Sequence, residues 1–513
     1  MLNLNLTDAS VDTLCSITRG TDLGRAQLLS NVASSSIRKL DDTSQWAVWN
    51  GVRWETRTAG DTSHLAPILN ATAAFLASRV LKTKAAQNAA SNAELEPALA
   101  RAAVARLIPE LKLREKEHAG FTSAAGRQSL LSLAGALPVI NVPVADAVFD
   151  RNEHVVGVEN GSIDLRTGTF STPDPALYLT ETLATKYDAQ ATCPKWEQYL
   201  AEVFETNPEV IPFIQKLVGL SLSGWHIEHF LIMLNGGGAN GKSVFLNVLN
   251  KLFGSLGHTL EPTTLLATAQ SGGIPADVAA LRGKRFAALS ELPQDHSLDE
   301  ASVKRLTGED AVRARFLYEN AFTFTPQFTP WLATNYLPRI TGSDMGIWRR
   351  IVVIDFERTF TRENRNANLT SELLAELPGI LNWAVEGAKQ VWADQGAEPP
   401  ASVVRSNRKY QENQDLVAHF IAENMNAHTE TGAARPHVEL KPLYDAFKVW
   451  AEGTQCIKRA PSMGHFKKRL SLLGYEEKRQ NNGTRRVYNL SWPNAVTSSV
   501  LSSADIEVTD PPF

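Results

Sequence analysis

Leu231–Leu246 reads LIMLNGGGANGKSVFL, and the organisation of the chain follows from it. The apolar run Phe230–Leu234 predicts a buried strand. Gly236-Gly237-Gly238-Ala239-Asn240-Gly241-Lys242-Ser243 fits G-x-x-x-x-G-K-[ST], and Val244–Phe253 carries helical periodicity. Strand, loop and helix in that order are the context a phosphate loop requires. Glycines leave backbone N–H groups free to wrap phosphates, and the helix N-terminus adds positive partial charge. The candidate ATP contacts are therefore Gly236, Gly238, Ala239, Asn240, Gly241, Lys242, Ser243 and Val244. Lys242 is expected to reach the β- and γ-phosphates, and the Ser243 hydroxyl to ligate Mg²⁺.

Further apolar strands are expected at Lys284–Glu291, Phe328–Thr334 and Ile351–Phe356, with a hairpin over Ala311–Phe324. Strands separated by helices predict a parallel α/β core. Trp196–Phe204 and Val210–Leu222 read as amphipathic helices leading into it, and residues 367–400 return to helix. Upstream, Trp46–Trp54 alternates around Asn50-Gly51, a strong hairpin signal. Its three tryptophans fit either a base-stacking platform or the core of a small sheet, and the core reading is favoured because small sheets depend on aromatic burial. Leu65–Leu113 is Ala-rich and helical, and His154–Phe170 predicts a second hairpin. Beyond Pro399-Pro400, helices at Gln414–Asn426, Leu440–Trp450 and Gly464–Leu473 precede a strand at Arg485–Trp492, the pattern of a winged helix.

The expected plan is a poorly defined segment 1–44, an α+β domain 45–190, a helical lead-in and ATPase domain 191–400, a winged-helix-like domain 401–492 and a polar tail 493–513. A chain of 513 residues is too long for one core. Formal net charge is −4, so nucleic-acid contacts must come from local basic patches. Cys15, Cys193 and Cys456 fit no zinc or disulfide spacing, and no run approaches a membrane span. The expectation is a soluble cytoplasmic protein with no membrane partner.

Four features narrow the use of the triphosphate. Glu291 closes a strand at the sheet edge where a carboxylate can activate water or help hold Mg²⁺. Asn335 closes another, where an amide can bond the γ-phosphate or its water. Arg349 and Arg350 stand just before a strand, placed for a charge-neutralising finger. Lys304, Arg313, Arg315 and Tyr318 mix cations with an aromatic ring around the hairpin, a combination that grips phosphates and stacks on bases. Taken singly, each is also an ordinary surface feature.

The order of these motifs resembles the superfamily 3 helicases, in their phage, plasmid and poxvirus-type primase–helicase branch. It runs from the phosphate loop through Ser290-Glu291, the Lys304–Tyr318 block and Ala333-Thr334-Asn335-Tyr336-Leu337-Pro338 to Trp348-Arg349-Arg350. Asn160–Gly168 and Cys193-Pro194-Lys195-Trp196 resemble the domain preceding the motor in that branch. The resemblance implies an AAA+-like motor assembled as a ring, usually a hexamer, moving 3′ to 5′ on DNA. Lys242, Ser243, Glu291 and Asn335 would serve the site in cis. Arg350, or in second place Arg349, would reach in from the neighbour, and Lys304 would also face that interface. Two departures stand out. Ser290-Glu291 replaces an acidic pair, and the hairpin lacks the Lys-His pair of viral relatives. No acidic triad or zinc-binding cysteine set reads as a polymerising primase, so any priming would fall to a separate chain.

The C-terminal module is locally basic, with Lys458, Arg459, Lys467, Lys468, Arg469, Lys478, Arg479, Arg485 and Arg486 against Glu476 and Glu477. Such a face is the footprint of a nucleic-acid binder, with Lys467, Lys468 and Arg469 the candidate contacts. The leading reading is a replicative DNA helicase of a phage, plasmid or integrated element, acting on single-stranded or forked DNA in a bacterial host. A packaging or partition ATPase, and an initiator using ATP as an assembly switch, are the alternatives.

Overall fold

The computed structural model describes residues 21–41, 45–57, 60–92, 97–142, 148–266, 276–289, 296–316, 321–340, 345–429, 435–453, 460–481 and 483–493. Glu291, Tyr318, Lys458 and Arg459 lie outside them. Among the described residues no helix is long and apolar enough to cross a membrane.

The N-terminal unit is a four-stranded sheet packed on helices. Strands β1 (Ile37–Leu40), β2 (Gln45–Trp49), β3 (Trp54–Thr56) and β4 (Asn141–Val142) lie in the order β3-β2-β1-β4. The hairpin between β2 and β3 turns at Gly51, whose φ of 102° is open to glycine at no steric cost. Asn50 locks that turn by accepting from the backbone N–H groups of Val52 and Arg53 at 2.8 and 2.9 Å. Trp46, Trp49 and Trp54 are buried, and Trp54 stacks on Tyr178 with ring centroids 5.6 Å apart. The tryptophans are therefore core, and their faces are not available to bases. Helix Asp22–Ala33 and β1 belong to the same unit, so it starts ahead of residue 45. Helices Ala66–Asn92 and Pro97–Thr122 pack along one another, and helix Ala124–Gly135 closes the unit. A meander, β5 (Val155–Val158), β6 (Gly161–Asp164) and β7 (Thr169–Ser171), follows, its first turn at Glu159-Asn160 with Gly161 already paired to Val158.

The motor is a five-stranded parallel sheet. In chain order its strands are β8 (Leu231–Asn235), β9 (Gly257–Leu260), β10 (Phe286–Leu289), β13 (Thr329–Thr334) and β14 (Ile351–Asp355). In space they run β14-β8-β13-β10-β9, so the last two strands in sequence flank the first. A hairpin of β11 (Val312–Ala314) and β12 (Phe322–Phe324) interrupts the chain between β10 and β13. Strands buried on both faces read as unbroken apolar runs, which is why β8 and β14 stand out in sequence. Their side chains alternate between two cores. Ile232, Leu234, Trp331 and Val352 join Phe245 and Trp196 on one face; Leu231, Met233, Leu332 and Val353 join Val303 on the other. Trp331 is fully buried, and its indole N–H is satisfied by Ser221 Oγ at 2.9 Å.

Helix Ala401–Asn413 packs along β14, and Tyr410 sits in the motor's second core, so motor packing continues past the boundary expected near residue 400. The C-terminal module then has its own core around Phe420, Phe447 and Phe466. Helices Leu416–Asn424, Leu440–Gly453 and Met463–Leu472 pack on the antiparallel sheet β16-β18-β17, formed by β16 (His437–Glu439), β17 (Glu477–Arg479) and β18 (Arg485–Tyr488). Short strands β15 (Asn426–Ala427) and β19 (Leu490–Ser491) pair beside it. Three helices on a small antiparallel sheet make up this module.

Candidate nucleotide site

Strand β8 ends at Asn235 and the chain enters the glycine-rich loop, which closes on helix Lys242–Phe253. Gly238 and Gly241 take φ of 98° and 95°, and Ala239 is left-handed at 49°. A Cβ on Gly237 or Gly238 would meet nothing within 4 Å, so the outer lip of the loop is open. The inner side is closed. A Cβ on Gly236 would lie 2.6 Å from the Phe356 carbonyl, and one on Gly241 3.1 Å from the Tyr199 hydroxyl. That hydroxyl donates to the Gly241 carbonyl at 2.9 Å, and burial pushes its pKa far up, so it stays a neutral donor. Behind the lip, Phe360 N–H donates to the Ala239 carbonyl at 2.7 Å. The loop is held from outside and left free at its mouth, the geometry of an anion cradle.

Lys242 is buried in the first turn of the helix. Its Nζ donates to the Gly236 carbonyl at 2.5 Å, to Asn335 Oδ1 at 3.1 Å and to Asn240 Oδ1 at 3.2 Å. Asn335 reaches the lysine because β13, not β10, is the neighbour of β8, with Thr334 paired to Asn235. The strand leading to Glu291 lies one position further out, and Glu291 itself is outside the described residues. Sequence places both residues at one sheet edge; the strand order sets the amide directly beside the loop. Ser243 is exposed at the head of the helix. Sequence reasoning missed the support of the loop. Asn235 Nδ2 donates to Asp355 Oδ1 at 2.6 Å, and Tyr199 lies on a helix whose pattern marks only an apolar face.

Arg349 and Arg350 lie at the other end of the sheet. Ile351 pairs with Leu231 and Asp355 with Asn235, so the arginines precede the strand end farthest from the loop. At about 3.3 Å per residue this puts them roughly 15 Å away along the strand. Arg349 is exposed. Arg350 is half-buried, and its Nη1 donates to Thr307 Oγ1 at 3.1 Å. Burial lowers its pKa, as does the Arg349 charge, while Asp310 opposes them. Lys304 lies on helix Glu300–Leu306, one turn before Thr307. On the hairpin, Arg313 and Arg315 are exposed while Val312 and Ala314 are buried, as strand alternation requires.

In the C-terminal module the basic face is smaller than composition implied. Lys467 pairs with Glu477 at 2.9 Å and Lys478 with Glu476 at 2.8 Å, while Arg485 also bonds Glu477. Arg469 bonds Asp415 at 2.5 Å, at the junction with the motor. Three carboxylates thus engage four of these cations, and one of them, Asp415, lies outside the basic stretch counted in the sequence. Of the three candidate contacts, Lys468 is the exposed one.

Two families match this chain. Residues 26–205 match the family described as "D5 N terminal like", and residues 234–350 match a family of unknown function, DUF5906. In these two regions the chain is similar to the D5-type primase–helicases. It is 30% identical over 225 residues to "Putative helicase L207/L206" of Acanthamoeba polyphaga mimivirus, a match covering 42% of this chain and 23% of that protein. It is 25% identical over 259 residues to "Putative helicase 022R" of Frog virus 3, covering 46% and 26% respectively. With "Putative helicase 121R" of Invertebrate iridescent virus 3 it shares 24% over 336 residues, covering 59% and 35%. The matches thus span about a quarter to a third of those relatives' lengths. Among solved structures, the apo C-terminal region of NrS-1 aligns with a TM-score of 0.44 at 10% identity, over 89% of this chain and 96% of that one.

Proposed function

We propose that the chain is an ATP-driven DNA helicase motor for replication, working as a ring, usually a hexamer, and moving 3′ to 5′. The observation that carries this reading is the convergence of a glycine cradle, the Lys242 ammonium and the Asn335 amide at one sheet edge. The cradle fits a triphosphate because its lip is open, its walls are fixed and its buried cation points inward. Gly236, Gly238, Ala239, Asn240, Gly241, Lys242, Ser243 and Val244 would hold ATP. Ser243 and Glu291 would hold Mg²⁺, which shields phosphate charge. Lys242 offsets charge on the phosphates, Glu291 would take the proton of the attacking water, and Asn335 orients the terminal phosphate or that water.

The arginines support the ring. They lie across the sheet from their own loop, a placement that supports action at another subunit's site. Arg350, with Arg349 beside it, would supply the finger, and Lys304 would face the same interface. Arg313, Arg315 and Tyr318 would grip one strand of DNA, and the C-terminal module would hold forked DNA with Lys468 foremost. Any priming would fall to a separate partner. The viral relatives named as helicases fit a mobile replicon, and a phage or plasmid element in a bacterial cytoplasm is the setting proposed. Strand displacement on forked DNA with ATP, compared with Lys242→Ala, tests the reading. Displacement by wild type and none by the variant is expected; an inert wild type, or an active variant, overturns it.

A further inference from the structure

Helix Ala401–Asn413 lies along β14, the edge strand of the motor sheet. Its side chains bond the segments that flank the site. Asn407 behaves like a residue of a sixth strand: its Nδ2 donates to the Ile351 carbonyl at 3.1 Å, and its Oδ1 accepts from Val353 N–H at 2.7 Å. Two bonds to one exposed strand edge fix the helix in register with the sheet. One turn of such contact then reaches the phosphate loop. Ser406 Oγ donates to Asp355 Oδ2 at 2.5 Å, Asp355 Oδ1 accepts from Asn235, and Asn235 leads directly into Gly236.

The other end reaches the segment beyond Asn335. The Tyr410 hydroxyl donates to the Pro338 carbonyl, and Gln414 Oε1 accepts from Ile340 N–H at 3.2 Å. The Tyr410 ring also packs edge-on to Trp348, the residue before Arg349, with centroids 5.4 Å apart. Immediately past the helix, Asp415 bonds Arg469 of the C-terminal module and caps helix Leu416–Asn424 through Ala418 N–H at 3.1 Å.

We infer that Ser406, Asn407 and Tyr410 are positioning residues for hydrolysis, through which the phosphate loop, the Asn335 segment and the C-terminal module set one another's geometry. The inference rests on the proposed ATPase. Lys242 Nζ is shared between Gly236 and Asn335, so phosphate oxygens compete with both for the same ammonium. The two acceptors belong to segments bonded to one rigid helix, by way of Asp355 on one side and Pro338 on the other. A change in how the lysine is shared therefore loads the helix at both ends. The Asp415–Arg469 pair carries that load into the C-terminal module. The coupling is reciprocal, so DNA held by that module returns to the site as a change in hydrolysis.

The test uses the full chain and two conservative variants, Tyr410→Phe and Ser406→Ala. Each removes one hydroxyl and leaves the packing in place. Both are expected to melt near the wild-type temperature and to keep KM for ATP. The ratio of kcat with forked DNA to kcat without it is expected to fall about five-fold or more, toward one. A merely structural residue would move the melting temperature and leave that ratio alone. In parallel, a non-hydrolysable ATP analogue should change amide exchange across Met463–Leu472 in the wild type and less in Tyr410→Phe. Wild-type DNA stimulation in both variants, or no exchange response in the wild type, overturns the inference while the ATPase reading stands. A wild type with no ATP turnover overturns both.

Discussion

Arg350→Ala tests assembly and chemistry together. The arginines sit roughly 15 Å along β14 from the end that carries the glycine-rich loop, a separation that favours action at a neighbour's site over their own. Losing a finger costs about 10³–10⁵ in rate where one operates. The expected result is near-complete loss of ATP turnover with ATP binding retained, since the loop and Lys242 are untouched. The variant also loses the Arg350–Thr307 bond, so melting curves are needed to show that the loss is chemical and not a consequence of unfolding. Mixing Arg350→Ala with Lys242→Ala subunits then separates trans from cis action. A working site needs the loop of one parent beside the arginine of the other, which random mixing in a closed ring places at about a quarter of interfaces. Turnover should recover toward that fraction of wild type once a mass shift between tagged parents proves exchange. Exchange without recovery would refute the trans finger. Arg349→Ala belongs in the same series, because the two share one sheet end and Arg349 is the more exposed.

Other outcomes follow from single contacts. Gly241→Ala forces a Cβ into a backbone at φ 95° and within 3.1 Å of Tyr199, so affinity for a fluorescent ATP analogue should fall about ten-fold, a strain of roughly 1–3 kcal/mol; unchanged affinity would mean the loop opens freely. Lys468→Ala should weaken DNA binding and reduce the salt slope by about one, as loss of a phosphate contact does, whereas Lys467→Ala, already engaged with Glu477, should do less. Equal effects in anisotropy titrations would show that the Glu477 pair does not hold in solution. His226 and His465 are held below the ordinary histidine value first by burial. The unfolded chain therefore binds more protons, so stability present above about pH 6.5 should decline as pH drops through that value. Melting curves between pH 8 and pH 5.5 should show the decline, and His226→Asn should flatten it; a profile as steep in the variant would assign the dependence elsewhere.

The phosphate loop, the Asn50-Gly51 hairpin and the helices of the C-terminal module were legible in the sequence because each is specified over a few neighbouring residues. Motif spacing, turn chemistry and helical periodicity are local signals, and local signals survive without a partner. The strand Gly257–Leu260 was not legible, since its residues lack the apolar run that marks β8 and β14. Helix Asp22–Ala33 and β1 were missed for a similar reason, their patterning being too weak to show without the sheet they cover. Tertiary structure alone decided which strand adjoins β8. That choice rests on how five twisted strands and their crossovers pack, and it puts Asn335 against Lys242 while setting the strand toward Glu291 one place away. It also decided the fate of charge. Composition counts cations, but only folding shows that Glu476, Glu477 and Asp415 already engage several of them. The bonds joining Ser406, Asn407 and Tyr410 to residues 51 to 72 positions away in the chain leave no trace in the sequence, because a hydrogen bond has no periodicity.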